Sequence, residues 1–245
     1  MKGKKLNSDN PASRLLKILE TGKKHKPGIK CRDVWHNILN VDTSNSALLM
    51  SRLGKVMELP ELIILEIQDK YPNQKSTHNH WSTKVNTAFM QQNLNGQWQE
   101  FIQHIDSHTT DYLSMSADLL EMKSDTQILS ESEISDIRKK IDDLLLEVID
   151  SDIDIKFKDY IVSYLRKILV AIDEYNISGA TPISECIEST FGHAFIDEKY
   201  RTNISNTDIG NKVVSVLSAV ASVVTIAVGL PQLPNTFQLL LTNTK

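Results

Sequence analysis

The stretch that most constrains the fold of this chain is VVSVLSAVASVVTIAVGL, residues 213–230, which contains no charged side chain. Its 18 residues lie at the lower limit of what an α-helix needs to cross a bilayer. Seven Val, one Ile and one Thr make half of the run β-branched, which disfavours an isolated helix in water. The run therefore needs lipid or protein around it, and both surroundings are open at this stage.

Drawn as a helix, the run has two different faces. One face, the serine stripe, carries small residues at spacings of 3, 4, 3 and 4: Ser215, Ser218, Ser222, Thr225 and Gly229. The opposite face is apolar: Val214, Leu217, Ala221, Val224 and Val228. Small residues let two helices approach closely, and hydroxyl groups can bond across such a contact. The serine stripe therefore predicts packing against protein, whether in a soluble bundle or in a membrane.

The distribution of charge and the cysteine content indicate the cellular localisation of the protein. Basic residues flank the apolar run asymmetrically, with Lys199, Arg201 and Lys212 before it and only Lys245 after it. If the run inserts, this asymmetry keeps the large N-terminal part in the cytosol. The two cysteines, Cys31 and Cys186, lack CxxC spacing, and no apolar segment follows the Lys-rich start. We therefore expect a cytoplasmic protein with conditional association with the inner membrane.

The rest of the chain predicts an all-α protein, a multi-helix bundle with a central αα-hairpin and an apolar C-terminal helix. Only 9 Gly and 7 Pro interrupt 245 residues. A heptad seam marks the first hairpin helix: Ile134, Ile137, Ile141, Leu144 and Val148. After a short acidic link, residues 155–175 repeat the pattern with Phe157, Ile161, Tyr164, Ile168 and Ile172. A link this short forces an antiparallel return.

Composition divides the chain into five predicted regions. The first 30 residues hold nine Lys or Arg against two acids (9 − 2 = +7), whereas residues 117–154 hold four bases against twelve acids (4 − 12 = −8). The regions are a disordered basic tail (1–10), an N-terminal helical region (11–123), a helical hairpin region (124–192), a polar, irregular hinge (193–210) and the apolar C-terminal segment (211–245). Within them, helices are expected from Pro11 to Gly22, at about 45–57, from Pro60 to before Pro72, and from Pro182 to Gly192.

Four histidines form the one arrangement with metal-ligand spacing. His78 and His80 are one residue apart, and His104 and His108 have the i, i+4 spacing that lets two imidazoles on one helix share a metal. Polar neighbours make plain exposed histidines the simpler interpretation, so these are weak candidates and no metal or other cofactor is expected.

Catalytic and nucleic-acid motifs are also weak. The sequence has no GxxxxGK, GxSxG or HExxH motif. Ser184 and Cys186 with His193 could supply a nucleophile and a base, but Cys186 fits better as a core residue. The helix at 45–57 offers only Arg52 and Lys55 for reading DNA, which makes nucleic acid an unlikely partner. An enzyme is therefore the less favoured interpretation.

Several short motifs are scattered along the chain: Asp33-Val34-Trp35, Leu48-Leu49 with Leu59-Pro60-Glu61, Trp98 with Phe101, Tyr112-Leu113, and Ala171-Ile172-Asp173-Glu174-Tyr175 with Ser178-Gly179. Together they resemble a recurrent bacterial family of helical proteins with a variable, often apolar C-terminal end. The likeness covers about residues 12–192. It implies a bacterial origin and a helical fold, and it implies no activity.

Two main functional hypotheses follow, beside the weaker one of a metal-dependent enzyme that uses the four histidines. In the first, a soluble helical body controls a C-terminal helix that becomes membrane-active or oligomerising, as a non-enzymatic bacterial effector in antiphage defence or toxicity. In the second, the chain is a soluble scaffold or protein-interaction module with the apolar helix as permanent core. Both expect a protein partner or self-association, and the first adds the bacterial membrane.

Overall fold

The computed structural model describes residues 9–228 apart from Lys75 and Asp125. Within these residues the fold is all-α, with twelve helices and no strand, which confirms the predicted fold class. The chain divides into two compact units, Met1–Ser124 and Asp125–Lys245. Most of the predicted basic tail and the end of the predicted C-terminal segment, including Gly229, lie outside the described residues.

Six helices build each unit. The first unit contains α1 (Pro11–Lys23), α2 (Cys31–Ile38), α3 (Ser46–Lys70), α4 (Asn79–Gln91), α5 (Gln99–Ile102) and α6 (Ser107–Met122). The second contains α7 (Glu131–Asp150), α8 (Ile155–Asp173), α9 (Tyr175–Ser178), α10 (Thr181–Ile196), α11 (Glu198–Asn206) and α12 (Asp208–Val228).

The first unit is held by an aromatic core. Trp35, Trp98 and Phe101 are fully buried, with ring centroids 5.2 Å apart for Trp35 and Trp98 and 4.8 Å for Trp98 and Phe101. The indole N–H of Trp98 donates to the carbonyl of Gly22 at 2.9 Å, which ties this core to the end of α1. At the other end of α1, the side chain of Asn10 accepts from the N–H of Ser13 at 2.9 Å, the N-cap contact that a polar residue before proline favours.

α3 corrects the prediction of two helices at 45–57 and from Pro60. The chain forms a single helix of 25 residues, and Pro60 lies inside it, buried. Pro60 has no N–H to donate to the carbonyl of Val56, and an interior proline normally kinks or breaks a helix. Buried neighbours on both sides of Pro60, Leu59 and Ile63, attach α3 to the core and offset that loss.

Arg52 of α3 also lies inside the first unit. One of its guanidinium nitrogens, Nη1, donates to the carbonyls of Leu39 at 2.9 Å and Asn40 at 3.0 Å. Asn40 has a positive φ of 49°, in the left-handed region that asparagine tolerates better than most residues. Arg52 therefore supports the turn after α2, and it is not exposed for contact with DNA.

The second unit is built on the predicted antiparallel hairpin of α7 and α8. Ser130 and Glu133 form a reciprocal capping box at the start of α7. Arg138 near the start of α7 donates through Nε to Asp173 at the end of α8 at 2.8 Å, as antiparallel packing requires. The seam faces inward with four fully or almost fully buried residues: Ile137, Ile141, Leu144 and Val148.

The region predicted as an irregular hinge, 193–210, is helical instead. α10 continues through Gly192 to Ile196, α11 follows after Asp197, and α12 begins after Thr207. Although this segment is mostly polar, two residues of α11, Tyr200 and Ile204, are buried and anchor that helix in the core. Motion at this region stays a prediction.

Candidate functional site

α12, which contains most of the apolar run, supplies one wall of the core of the second unit. It packs against α7, α10 and α11. Its inward face comprises Gly210, Val213, Val214, Leu217, Val220, Ala221, Val224, Thr225 and Ala227. Val213, Leu217, Val220 and Val224 have no exposed surface. The predicted apolar face is therefore the packed face of this helix, with Val228 half-buried at its end.

Contacts near both ends fix α12 in place. Near its start, Lys212 forms an ion pair with Glu147 of α7. Near its end, the N–H of Gln127 donates to the carbonyl of Ala227 at 3.0 Å. At the corner with α11, a Cβ on Gly210 would lie 2.4 Å from the carbonyl oxygen of Asn203, so only glycine lets the two backbones come this close. Sequence analysis missed Gly210, although a glycine in the first turn of a long apolar helix is a recognisable signal.

The serine stripe lies along the margin of the packed face. Ser215 is exposed, Ser218 and Ser222 are half-buried, and Thr225 is buried. The hydroxyl of Ser222 donates to the carbonyl of Ser218 at 2.9 Å, within the same helix. The hydroxyl oxygen of Ser218 is enclosed without a hydrogen-bond partner in the described part of the chain. The predicted bonding of the stripe to another helix therefore stays a prediction, and Gly229 is outside the described residues.

The outer side of α12 is uncovered in the second unit and only weakly polar. Ser215, Ala219 and Ile226 are exposed, and Ile226 retains 54% of its accessible surface. Among the described helices, α12 alone is long and apolar enough to cross a membrane, with a mean hydropathy of 1.8 and 44% of its most apolar window buried. A core helix of a soluble protein passes the same test, so this property by itself leaves both hypotheses open.

The fold brings part of the predicted histidine group together. His80 and His108 have ring centroids 6.4 Å apart, and His80 Nε2 lies 3.6 Å from Asp106 Oδ1. His104 lies in the turn between α5 and α6, so the prediction that it shares a helical face with His108 is wrong. His78 is buried just before α4. In the described ranges no three His, Cys, Asp or Glu side chains form a group that could hold a metal ion.

Asp106, beside His80, stabilises the start of α6. It is the N-cap of α6 and accepts from the backbone N–H of Thr109 at 2.7 Å and from the Thr109 hydroxyl at 2.8 Å. These bonds, with His80 beside the carboxylate, lower the pKa of Asp106 to about 2. The carboxylate is thus held ionised to stabilise a helix start. Sequence reasoning missed this role of Asp106, although the Asp-Ser-His-Thr sequence at 106–109 is itself a capping signal.

The structure does not assemble Ser184, Cys186 and His193 into a catalytic set. Ser184 donates to Glu188 Oε1 at 3.0 Å, and burial raises the pKa of the Cys186 thiol. The ring of His193 packs instead on Tyr160 and Tyr200, with centroids at 4.3 and 4.7 Å. A raised thiol pKa disfavours the thiolate that a nucleophile needs. His193 is thus part of an aromatic cluster that joins α8, α10 and α11. The sequence showed no sign of this cluster, because its residues are separated along the chain.

Among the sites predicted from the sequence, the structure gives a distinctive arrangement to one, the apolar helix α12, whose inner face completes a core and whose outer face is uncovered in its own unit. The histidines and the Ser184–Cys186 pair offer no comparable arrangement. Comparison with protein-family models, with curated proteins and with solved structures gave no match for this chain.

Proposed function

We propose that this chain is a non-enzymatic helical scaffold or protein-interaction module in which α12 is a permanent core helix of the second unit. One observation carries the proposal: the inward apolar face of α12 is already covered by α7, α10 and α11. A helix held ready for easy release would leave more of this face uncovered. The absence of a catalytic arrangement among the described side chains fits the same function but does not carry it.

The energetics favour permanent packing. Burying one Val or Leu side chain contributes about 1.5–3 kcal/mol. The four fully buried aliphatic residues of α12, Val213, Leu217, Val220 and Val224, therefore contribute roughly 6–12 kcal/mol. The net stability of a whole domain is about 5–15 kcal/mol. Removing α12 into water is thus equivalent to unfolding the unit that holds it.

The outer face of α12 is the surface we assign to a protein partner or to self-association. Ser215, Ala219 and Ser222 are small, and Ile226 adds an exposed apolar group one turn further along. Small residues on a helix surface permit close approach of a second helix. Replacing Ala219 by Trp should block such an approach while leaving the inner face intact, and the mass of the native protein by light scattering would report the change.

Truncation tests the permanent-core function directly. A chain ending at residue 208 lacks α12 and should be insoluble, because the inward surfaces of α7, α10 and α11 lose their cover. A chain ending at residue 228 retains the helix and is the matched control. Soluble, cooperatively folded protein from the chain ending at residue 208 would contradict the proposal.

A second candidate function is the conditional bacterial effector, with a cytoplasmic body that delivers α12 to the inner membrane in antiphage defence or toxicity. The length of 21 residues and the mean hydropathy of 1.8 meet what this function requires of α12. Here lipid replaces the protein that covers α12, which offsets the loss of packing. Cell fractionation would test it: the full-length chain should move to the membrane fraction under the activating condition, and deletion of residues 209–245 should abolish both movement and cellular effect. A chain that stays soluble while its effect survives the deletion would reject this function.

A further inference from the structure

The five methionines that the structure describes all belong to the first unit, and all five lie at the surface. Every methionine in the described part of the chain retains between 41% and 82% of its accessible area: Met50, Met57, Met90, Met115 and Met122. Methionine is usually among the buried residues. Its flexible, polarisable side chain is characteristic of surfaces that adapt to an apolar partner. The question is which of these side chains form one surface.

Two of them lie on a single stripe of α3, the methionine face. Its residues recur at spacings of 4, 3, 4 and 4: Met50, Gly54, Met57, Glu61 and Leu65. These spacings place them on one side of a helix, one above another. Leu65 and the neighbouring Leu62 are also exposed large apolar residues. The opposite side of α3 is buried in the first unit and includes Leu49, Leu53, Val56, Ile63 and Ile67.

Gly54, in the middle of the methionine face, has no role in the internal packing of the unit. A Cβ added at this position would meet no atom within 4 Å, so the fold of the chain does not require glycine there. Glycine inside a helix is less favourable than alanine. A glycine that faces outward between two exposed methionines instead allows the backbone of another helix to approach closely. This observation is independent of the exposed apolar area.

Charge identifies the chemistry of the partner. Glu58 and Glu61 are exposed on or beside the methionine face, and neither forms an ion pair with any described residue. By contrast, Glu66 lies 2.5 Å from Lys70 and is neutralised within α3. The five residues of the methionine face include no Lys or Arg, and Lys55, which lies beside Glu58 on α3, is half-buried and already interacts within the chain, so a second copy offers the two carboxylates no free cation. A partner with cations beside its apolar stripe complements them, and opposite charges across an interface set specificity and encounter rate.

We propose that the methionine face of α3 binds a basic amphipathic helix of another protein, which crosses α3 at Gly54. The apolar side of that helix contacts Met50, Met57 and Leu65, and its Lys or Arg side chains pair with Glu58 and Glu61. This is a helix-on-surface mode of peptide recognition with apolar anchors at helical spacing. The inference does not depend on α12, because the methionine face belongs entirely to the first unit.

The test uses the full chain with ¹³C-methyl-labelled methionine and a synthetic helical peptide. The peptide carries leucines at i, i+4, i+7 and i+11 with lysines on both sides of that stripe. A matched peptide carries glutamates in place of the lysines. In NMR titrations the lysine peptide should shift the Met50 and Met57 methyl signals saturably and leave those of Met90 and Met122 in place. The glutamate peptide should shift neither pair.

Variants separate the binding contact from folding. Gly54→Leu should weaken binding of the lysine peptide by about tenfold or more, because the added side chain blocks close approach. Asn86→Leu adds the same side chain at an exposed position of α4 and should leave binding unchanged. Gly54→Ala should raise the thermal midpoint of the free protein yet weaken binding, and these opposite directions distinguish a binding role from a folding role. Glu58→Lys with Glu61→Lys should reverse the preference between the two peptides.

Three results would overturn the proposal. Equal affinity for both peptides would mean unspecific apolar adhesion. Saturable binding that leaves Met50 and Met57 unshifted, or no binding at all, would remove the site from α3. A concentration-dependent dimer that Gly54→Leu abolishes would show that a second copy, and not a basic helix, occupies the methionine face.

Discussion

Leu217 lies at the centre of the packed face of α12 with no exposed surface, and its replacement by alanine measures how firmly that helix belongs to the core. The substitution removes three carbon atoms, worth about 2.4 kcal/mol in transfer free energy at about 0.8 kcal/mol each. The cavity left behind adds to this loss, and buried Leu→Ala changes cost about 2–5 kcal/mol in total. We expect Leu217→Ala to lower the free energy of unfolding of the second unit by that amount.

Ile226→Ala is the matched control on the same helix. Ile226 is 54% exposed, so the same loss of three carbons removes only about 1 kcal/mol of burial. Alanine also has a higher helix propensity than isoleucine, which offsets part of this loss. The control should therefore change the free energy of unfolding by less than about 1 kcal/mol. If α12 were detached in solution, both variants would give the same small change.

Urea unfolding followed by two probes can measure the difference. The three tryptophans, Trp35, Trp81 and Trp98, all belong to the first unit and are fully buried, so tryptophan fluorescence reports that unit. Far-UV circular dichroism reports the helices of both units. Hydrogen exchange with mass spectrometry would add local resolution, since peptides from α7 and α12 should lose protection together in Leu217→Ala. Equal urea midpoints for Leu217→Ala and Ile226→Ala would refute the packing argument.

Three further substitutions test individual contacts. Ser218→Ala removes an enclosed hydroxyl without a partner in the described residues and should leave stability unchanged or raise it slightly, whereas Ser218→Leu overpacks the site and should cost about 1–3 kcal/mol by urea unfolding. Asp106→Ala should cost about 0.5–2 kcal/mol at neutral pH, with Asp106→Asn costing less because asparagine still caps α6. The pKa of Asp106 is lowered from 3.8 to about 2 in the folded protein, so its charge stabilises the fold fully above about pH 4. That stabilisation is lost as the pH falls toward 2. The free energies of unfolding of wild type and Asp106→Ala should therefore converge in acid. Tyr200→Phe removes the hydrogen bond from the buried phenol to the carbonyl of Thr190 and should lower the stability measured in a thermal melt by about 0.5–1.5 kcal/mol. This loss of stability should not depend on pH up to about pH 10, because burial raises the pKa of Tyr200 above its ordinary value.

Local rules predicted the fold class, the hairpin and several helix starts, because these depend on residues close together in sequence. The start of α1 at Pro11 was predicted from the proline, and in the structure the side chain of Asn10 caps it by bonding to the N–H group three residues later. The apolar residues of the α7 seam recur so regularly that the sequence alone predicts which side of the helix is buried. Such signals require no knowledge of what packs on them.

Breaker residues misled the prediction where tertiary packing overrides local preference. Pro60 and Gly192 were expected to bound helices, yet both lie inside one. For Pro60 the reason is burial on both sides, which offsets a lost hydrogen bond. Residues 193–210 appeared irregular because only Tyr200 and Ile204 mark the buried side of α11, too few to show a period. The sequence records which residues are apolar and does not record how much surface the neighbouring helices provide.

In the candidate sites, too, local spacing predicted some features, whereas others depend on tertiary packing. Helical spacing separated the two faces of α12, but it did not show that the second unit covers the apolar face and leaves the serine stripe at the margin. Whether the serine stripe or the methionine face remains exposed depends on which helices stand beside them, and spacing alone does not fix that. α3 shows this most clearly, because both Leu53 and Leu65 are apolar but only Leu53 is buried.

The contact between α7 and α12 has a consequence during translation. Synthesis of α7 ends at Asp150, about 60 residues before Val213, the first fully buried aliphatic residue of α12, is added to the chain. Until then the inward side of α7 lacks the cover that α12 provides, and such incomplete helical surfaces attract chaperones or one another. A ribosome that stalls within this interval would therefore release an adhesive intermediate from a chain whose finished form buries the same residues completely.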